Sequence, residues 1–267
     1  PQGAELFSLK KADKEYMWEG NPEFWGKHSP VLFPIVGTLK NNTHFVNGKE
    51  YTMTRHGFAR DNAFTVKELH ADSVTFTLTS NKETKKQYPY NFELNLTYTL
   101  KDTALHLEYT VKNTGNTDMP FSIGAHPAFA LPGAFNNYSL EFEKEELLEI
   151  TPLKNDLLTD HSLVIVTSNK ELPLLYSLFE NDALIFKALQ SKSITIKHQD
   201  KNYLKVSFSD FPHLGIWTKQ DAPFLCIEPW QGYSDSLEAS GNLFDKEGII
   251  ILKPQTVYSA SFSIEIL

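Results

Sequence analysis

The segment Ile123-Gly124-Ala125-His126-Pro127-Ala128-Phe129 sets a histidine among residues of little bulk and follows it with a proline. Proline disfavours helical backbone in the residue before it, so His126 is expected to be extended. With an unperturbed pKa of about 6.5, histidine exchanges protons near neutral pH. Gly124, Ala125 and Ala128 leave space for something to approach the ring, which points to a proton donor or acceptor. A solvated histidine in a surface turn fits the same residues.

Two other segments carry comparable chemistry. Arg55-His56-Gly57-Phe58-Ala59-Arg60 contains both arginines of the chain, bracketing a histidine. Arginine suits forked contacts to carboxylate, phosphate or paired hydroxyls, and Gly57 frees the backbone beside His56. A solvated charged turn is the plain alternative. In Phe224-Leu225-Cys226-Ile227-Glu228-Pro229-Trp230, an apolar run ends in a carboxylate followed by proline and tryptophan. A carboxylate ending a buried strand is uncommon unless paired or functional. It closes a structural ion pair or serves a site. Trp230 is either core or a platform for the C–H face of a sugar ring.

These segments need a scaffold, and the pattern around them is β. Leu105, Leu107, Tyr109 and Val111 alternate with His106, Glu108, Thr110 and Lys112; Tyr258, Ala260, Phe262, Ile264 and Ile266 alternate with Ser259, Ser261, Ser263 and Glu265. Period-two alternation predicts half-buried strands. Further strands are expected at Val74–Leu78, Phe92–Leu100, Ile194–Lys197 and Leu204–Phe208, bounded by turn residues such as Asn47-Gly48 and Asn113-Thr114-Gly115-Asn116. Helical periodicity is nearly absent, with room for short turns around Phe7–Asp13 and Asn155–Asp160. Many strands without intervening helices predict an all-β fold, a large antiparallel β-sandwich occupying residues 1–267 as one domain.

Composition narrows the function. The chain of 267 residues is 41% hydrophobic and 13% aromatic, with 33 acidic against 25 basic residues and a net charge of −8. That balance argues against phosphate-backbone binding, so no nucleic-acid partner is expected. One cysteine, Cys226, excludes an internal disulfide and a multi-cysteine metal site. The histidines lack metal-ligand spacing, so no metal is expected. No apolar run approaches the ~20 residues of a membrane span, and no signal peptide is visible, so a cytoplasmic protein without a membrane partner is expected. Phosphate-binding glycine loops and a Gly-x-Ser-x-Gly elbow are absent.

The three segments, with Pro30-Val31-Leu32-Phe33-Pro34-Ile35-Val36-Gly37, Asn181-Asp182-Ala183-Leu184 and Leu214-Gly215-Ile216-Trp217, resemble the aldose 1-epimerase (galactose mutarotase-like) superfamily in that family's order. The resemblance spans nearly the whole chain and is closest to its LacX-type, hexose-6-phosphate mutarotase-like branch. It implies a large antiparallel sandwich with a sugar cleft across one sheet. By motif, Glu228 matches the family's general base and His126 its general acid. His56 matches a second sugar-binding histidine, Asp182 an acidic ligand to sugar hydroxyls, and Arg60 an arginine able to contact an anionic group. The chain departs from the family at Thr38, where an arginine usually faces the sugar. Lys40, on the same face if this stretch is a strand, is expected to substitute in part, though without the forked geometry.

The expected activity is interconversion of the α and β anomers of a hexose or hexose phosphate, without a cofactor, by a monomer or homodimer. A base takes the C1 hydroxyl proton and an acid protonates the ring oxygen. This requires an ionised Glu228 and a protonated His126, which nearby carboxylates would favour. A weakly catalytic or non-catalytic sugar-binding protein on the same fold is the alternative. A glycoside hydrolase or lyase would need a second rigid carboxylate opposite Glu228.

Overall fold

The computed structural model describes residues 2–167 and 169–267. Two sheets share one core, and every strand ladder in them is antiparallel. The larger has nine strands, in the order Glu171–Pro173, Tyr138–Phe142, Ser193–His198, Lys201–Ser207, Val257–Ile266, Ala104–Asn113, Phe92–Lys101, Ser73–Thr79 and Thr65–Leu69. The alternating segments expected to be strands lie within it. Leu105, Leu107, Tyr109 and Val111 are buried and face Ala260, Phe262 and Ile264 across the Val257–Ile266 ladder, while His106 and Glu108 stay exposed. The pleat sends successive side chains to opposite faces, so one face reaches the core and the other meets water.

The second sheet runs Leu184–Phe186, His213–Trp217, Phe224–Gln231, Ile123–Ala125 and Val31–Leu32, with Ala128–Ala130 also paired to Phe224–Gln231. Its strands are buried on both faces. From Phe224–Gln231, Leu225 and Ile227 enter the main core with Ile123, Ala125, Phe129, Leu214 and Ile216. Phe224, Cys226, Glu228 and Trp230 point to the opposite face, which loops and short hairpins cover.

Two short hairpins stand where turns were expected from sequence. Around Phe7–Asp13, Lys10–Lys11 pairs with Lys14–Glu15. Around Asn155–Asp160, Leu153–Lys154 pairs with Leu157–Leu158 through Asn155 and Asp156, at φ 52° and 65°. Two successive positive φ values make a tight hairpin whose twist matches its strands, a use to which Asn and Asp are suited. The Asn47-Gly48 turn, at φ 50° and 76°, is built the same way. Helical structure among the described residues is confined to one short α-helix, Thr84–Gln87, and 3-10 turns. No helix is long and apolar enough to cross a membrane.

Candidate active site

Strand register places His126 against Glu228. Gly124 pairs with Trp230 and Ala128 with Cys226, so the ladder keeps one register across the two-residue interruption His126-Pro127. His126 therefore stands opposite Glu228 on the outward face of the six-stranded sheet. Their side chains meet, Nε2 to Oε2 at 3.2 Å. Both are buried, Glu228 at 1% exposure and His126 at 8%.

The small residues beside His126 have a different use from the one expected. A Cβ on Gly124 would lie 2.6 Å from Cδ1 of Trp230, and one on Gly215, from the neighbouring strand, 2.5 Å from the far edge of the same ring. The indole lies flat across both glycines, so the space cleared by Gly124 is filled by Trp230. Ala128 packs with Trp18, Phe224 and Cys226, and Ala125 enters the main core. What closes on the imidazole is Trp25, stacked at 4.7 Å and 24°, with Trp217 edge-on at 5.9 Å.

The turn at His56 approaches from the side. His56 has φ 68°, strained for a non-glycine residue, and the backbone over-determines it. Its N–H donates to Gly37 O, its carbonyl accepts from Phe33 N–H, and its Nδ1 accepts from Gly37 N–H at 3.1 Å. Gly57 follows at φ 70°, where a Cβ would fall 2.3 Å from Phe33 O, so only glycine fits. Arg55 Nε donates to the other ring nitrogen, Nε2, at 3.3 Å, so both nitrogens of His56 face donors. Burial, then the charges of Arg55, His126 and Arg60, hold His56 well below the ordinary histidine value. The ring is neutral at pH 7.

Arg55 completes the wall. Its Nη1 donates to Asp182 Oδ2 at 3.1 Å and to Asp156 Oδ1 at 3.2 Å, the latter delivered by the tip of the Leu153–Leu158 hairpin. Burial opposes its charge, but Asp182 and Asp156 outweigh that and raise its pKa. Arg60 Nη2 donates to Arg55 O at 2.7 Å, while its buried Nε has no hydrogen-bond partner.

Together Trp25, Arg55, His56, Arg60, His126, Asp182, Ala183, Trp217, Glu228 and Trp230 line a cavity of about 310 Å³. That lies at the small end of small-molecule pockets. A larger groove of about 640 Å³ runs beside Phe7, Leu69, Phe76 and Leu100, but it is mainly apolar and gathers no comparable catalytic pair. Of the residues singled out from sequence, His126, Glu228, His56, Arg60, Asp182 and Trp230 share the smaller cavity. Lys40 does not, and the strand expected there is absent. Lys40 opens a short turn, Lys40–Asn42, in which Asn41 and Asn42 take positive φ and break the extended backbone, and its amide donates to Asp235 Oδ2. Thr38 is also outside the lining, its N–H held by Ser234 Oγ. The forked cation in the cavity is Arg55. Its pairing with Arg60 around His56 was visible in sequence, but its contact with Asp182 was not. Trp217 lay within a recognised motif, whereas Trp25, isolated in a loop, left no signal.

Burial acts against the charged forms expected of the pair. Burial, then Arg55 and Arg60, pushes His126 down to about 3. Burial, with Asp182 adding to it and Arg55 only partly opposing, raises Glu228 well above the ordinary carboxyl value. Burial therefore favours a neutral imidazole facing a protonated carboxyl. This neutral pair holds the same number of protons as the imidazolium–carboxylate pair; one proton sits on the other partner.

The chain belongs to the aldose 1-epimerase family, an isomerase family whose profile matches residues 1–265. It is 38% identical to Protein LacX (plasmid) of Lactococcus lactis subsp. lactis, over 99% of this chain and 94% of that protein. Among solved structures, a galactose mutarotase related enzyme from Lactobacillus acidophilus is 35% identical with a TM-score of 0.95, covering 100% of this chain and 92% of the other. A galactose mutarotase-like protein from Lactobacillus casei is 32% identical with a TM-score of 0.94, covering 100% and 95%.

Proposed function

We propose that this protein interconverts the anomers of a hexose, free or phosphorylated, with His126 and Glu228 as the proton-transfer pair. The observation that carries this reading is the 3.2 Å contact between two buried, oppositely shifted groups on the floor of the cavity. Groups with perturbed protonation converging in a cleft mark candidate sites of acid–base chemistry.

The protons balance. With the shared proton on His126, Glu228 is a carboxylate. It takes the C1 hydroxyl proton while His126 gives its proton to the ring oxygen, and the C1–O5 bond breaks to give the open aldehyde. The pair is then neutral His126 and protonated Glu228, the form that burial favours. After rotation about C1–C2, the reverse transfers close the ring on the other face. No proton enters or leaves, so the reaction runs without exchange with solvent.

The remaining residues position the sugar. Trp230 forms an apolar floor suited to C–H faces, and Trp25 and Trp217 shield the imidazole from water. Neutral His56 holds the Arg55 guanidinium in place at the cavity wall, Asp182 accepts from hydroxyls while bridging to Arg55, and Arg60 contacts an anionic substituent where one is present. Polarimetry of fresh α-glucose, α-galactose and their 6-phosphates tests the proposal. The wild type should accelerate mutarotation of at least one, and Glu228→Gln and His126→Asn should each abolish most of that acceleration. Saturable sugar binding without acceleration would instead identify a sugar-binding protein on this fold.

A further inference from the structure

The face that carries Glu228 also carries Cys226, two residues earlier on the same strand, with His126 opposite. A ligand atom from each of His126, Cys226 and Glu228 lies within 4.8 Å of the other two, and all three residues are buried. From this geometry we infer that the three form a binding site for a thiophilic divalent cation, of which Zn²⁺ is the type, and that the cation inhibits the enzyme. The inhibition rests on the function proposed above; the binding does not.

Four features support the site. The first is ligand chemistry: thiolate, imidazole and carboxylate together select Zn²⁺ over Mg²⁺ or Ca²⁺, which prefer oxygen. The second is unsatisfied polarity. His126 Nδ1 is buried without a hydrogen-bond partner, and buried Glu228 Oε2 has nothing but its 3.2 Å approach to His126 Nε2, an arrangement that costs free energy until something is bound. The third is distance. Zn²⁺ holds S, N and O ligands at about 2.0–2.3 Å, so the three atoms need close by only about 1 Å. The fourth is charge. On binding, the Cys226 thiol and the Glu228 carboxyl each release a proton to solvent, and the two resulting negative charges balance the cation. Arg55 opposes a nearby cation, but Asp182 and Asp156 already neutralise it.

Three protein ligands leave a fourth position for water from the cavity. A cation there would occupy Nε2 or Nδ1 of His126 and an oxygen of Glu228, removing both partners of the proton transfer. The spacing of the histidines along the chain could not reveal this set, because its members meet across strands. Since the thiol must deprotonate to ligate, binding strengthens as pH rises.

Co²⁺ titration of the full chain, in the absence of sugar, tests the site. The wild type should develop a thiolate-to-cobalt charge-transfer band saturating at one equivalent, and Cys226→Ala should not. In mutarotation assays, Zn²⁺ should inhibit the wild type reversibly, with chelator restoring the rate. Cys226→Ala should keep the basal rate and resist Zn²⁺ by more than the about 10–100-fold that loss of an outer-shell partner costs. If the alanine variant does not fold, Cys226→Ser, near-isosteric but with a poorly ligating hydroxyl, makes the same comparison. No band in the wild type, or equal Zn²⁺ inhibition in wild type and variant, overturns the inference. A thiolate band in a protein without mutarotase activity supports the metal site and removes the proposed function.

Discussion

The nine-stranded and six-stranded sheets meet at one core, yet they are built differently. The larger sheet rests on ten-residue strands, Phe92–Lys101 paired with Ala104–Asn113 and then Val257–Ile266, in which buried residues alternate with exposed or half-buried ones along most of the length. The smaller assembles pieces as short as Val31–Leu32 and Ile123–Ala125, distant in sequence, around the fully buried Phe224–Trp230. One sheet has a wet face and a dry face. The other is covered on both, and its outward face holds polar groups in a cavity rather than in water. The difference shows how a β-sandwich separates stability from chemistry. Regular pleating suffices to make a core, whereas the site needs interruptions: His126-Pro127 between two strand pieces, the strained turn at His56, and glycines at 124 and 215 under an indole ring.

This contrast also explains what could be read in the sequence. The alternation of Leu105 to Val111 with polar residues is a local signal, visible because one face is solvated. Phe224 to Trp230 has no such alternation, because residues on both faces are buried. Its role emerged from a carboxylate in an apolar run and from the family motif. The ends of the Arg55–Asp182 and Arg55–Asp156 contacts are more than a hundred residues apart, and pairing of that kind leaves no pattern along the chain. The glycines were legible as small residues but not in purpose. Only the packed ring shows that Gly124 accommodates Trp230.

The sharpest test of the division is substitution within the pair. Glu228→Gln and His126→Asn should each lower kcat/KM by about 10²–10⁴-fold, the usual scale for a general acid or base. Because burial favours the protonated form of Glu228, the near-isosteric glutamine should leave the melting temperature close to wild type. Leu107→Ala, in the core of the larger sheet, should do the reverse. Urea titration should show a loss of about 2–5 kcal/mol, with kcat/KM unchanged well below the transition. If Leu107→Ala lowered activity before it lowered stability, the two sheets would not be separable as argued.

Gly215→Ala lies on the boundary. Its methyl would meet the Trp230 ring at 2.5 Å, and overpacking of this kind typically costs about 1–3 kcal/mol. Thermal unfolding should show that loss, and displacement of the indole should raise KM as well. An unaltered KM would mean that the position of Trp230 does not matter to the sugar. The smallest effect is expected from Arg55→Lys, which keeps the charge but loses the fork to Asp182 and Asp156. The pair is partly exposed, so about 1 kcal/mol is expected, read as a severalfold rise in KM for the sugar.

The pH dependence of kcat/KM bears most directly on the claim that buried His126 and Glu228 share a single proton, since this parameter reports the ionisations of the free enzyme. Adding a second proton makes His126 cationic beside a protonated Glu228 and removes the base; removing the shared proton leaves neither group able to act as the acid. With His126 held at about 3 and Glu228 raised, the active form spans the interval between them. Polarimetric rates on the preferred sugar should therefore show no acid-side loss centred near 6.5, the ordinary histidine value, and decline on the acid side only on approach to the low value of His126. An acid limb centred near 6.5 would contradict the account, because it would mean that His126 titrates as an ordinary solvated histidine.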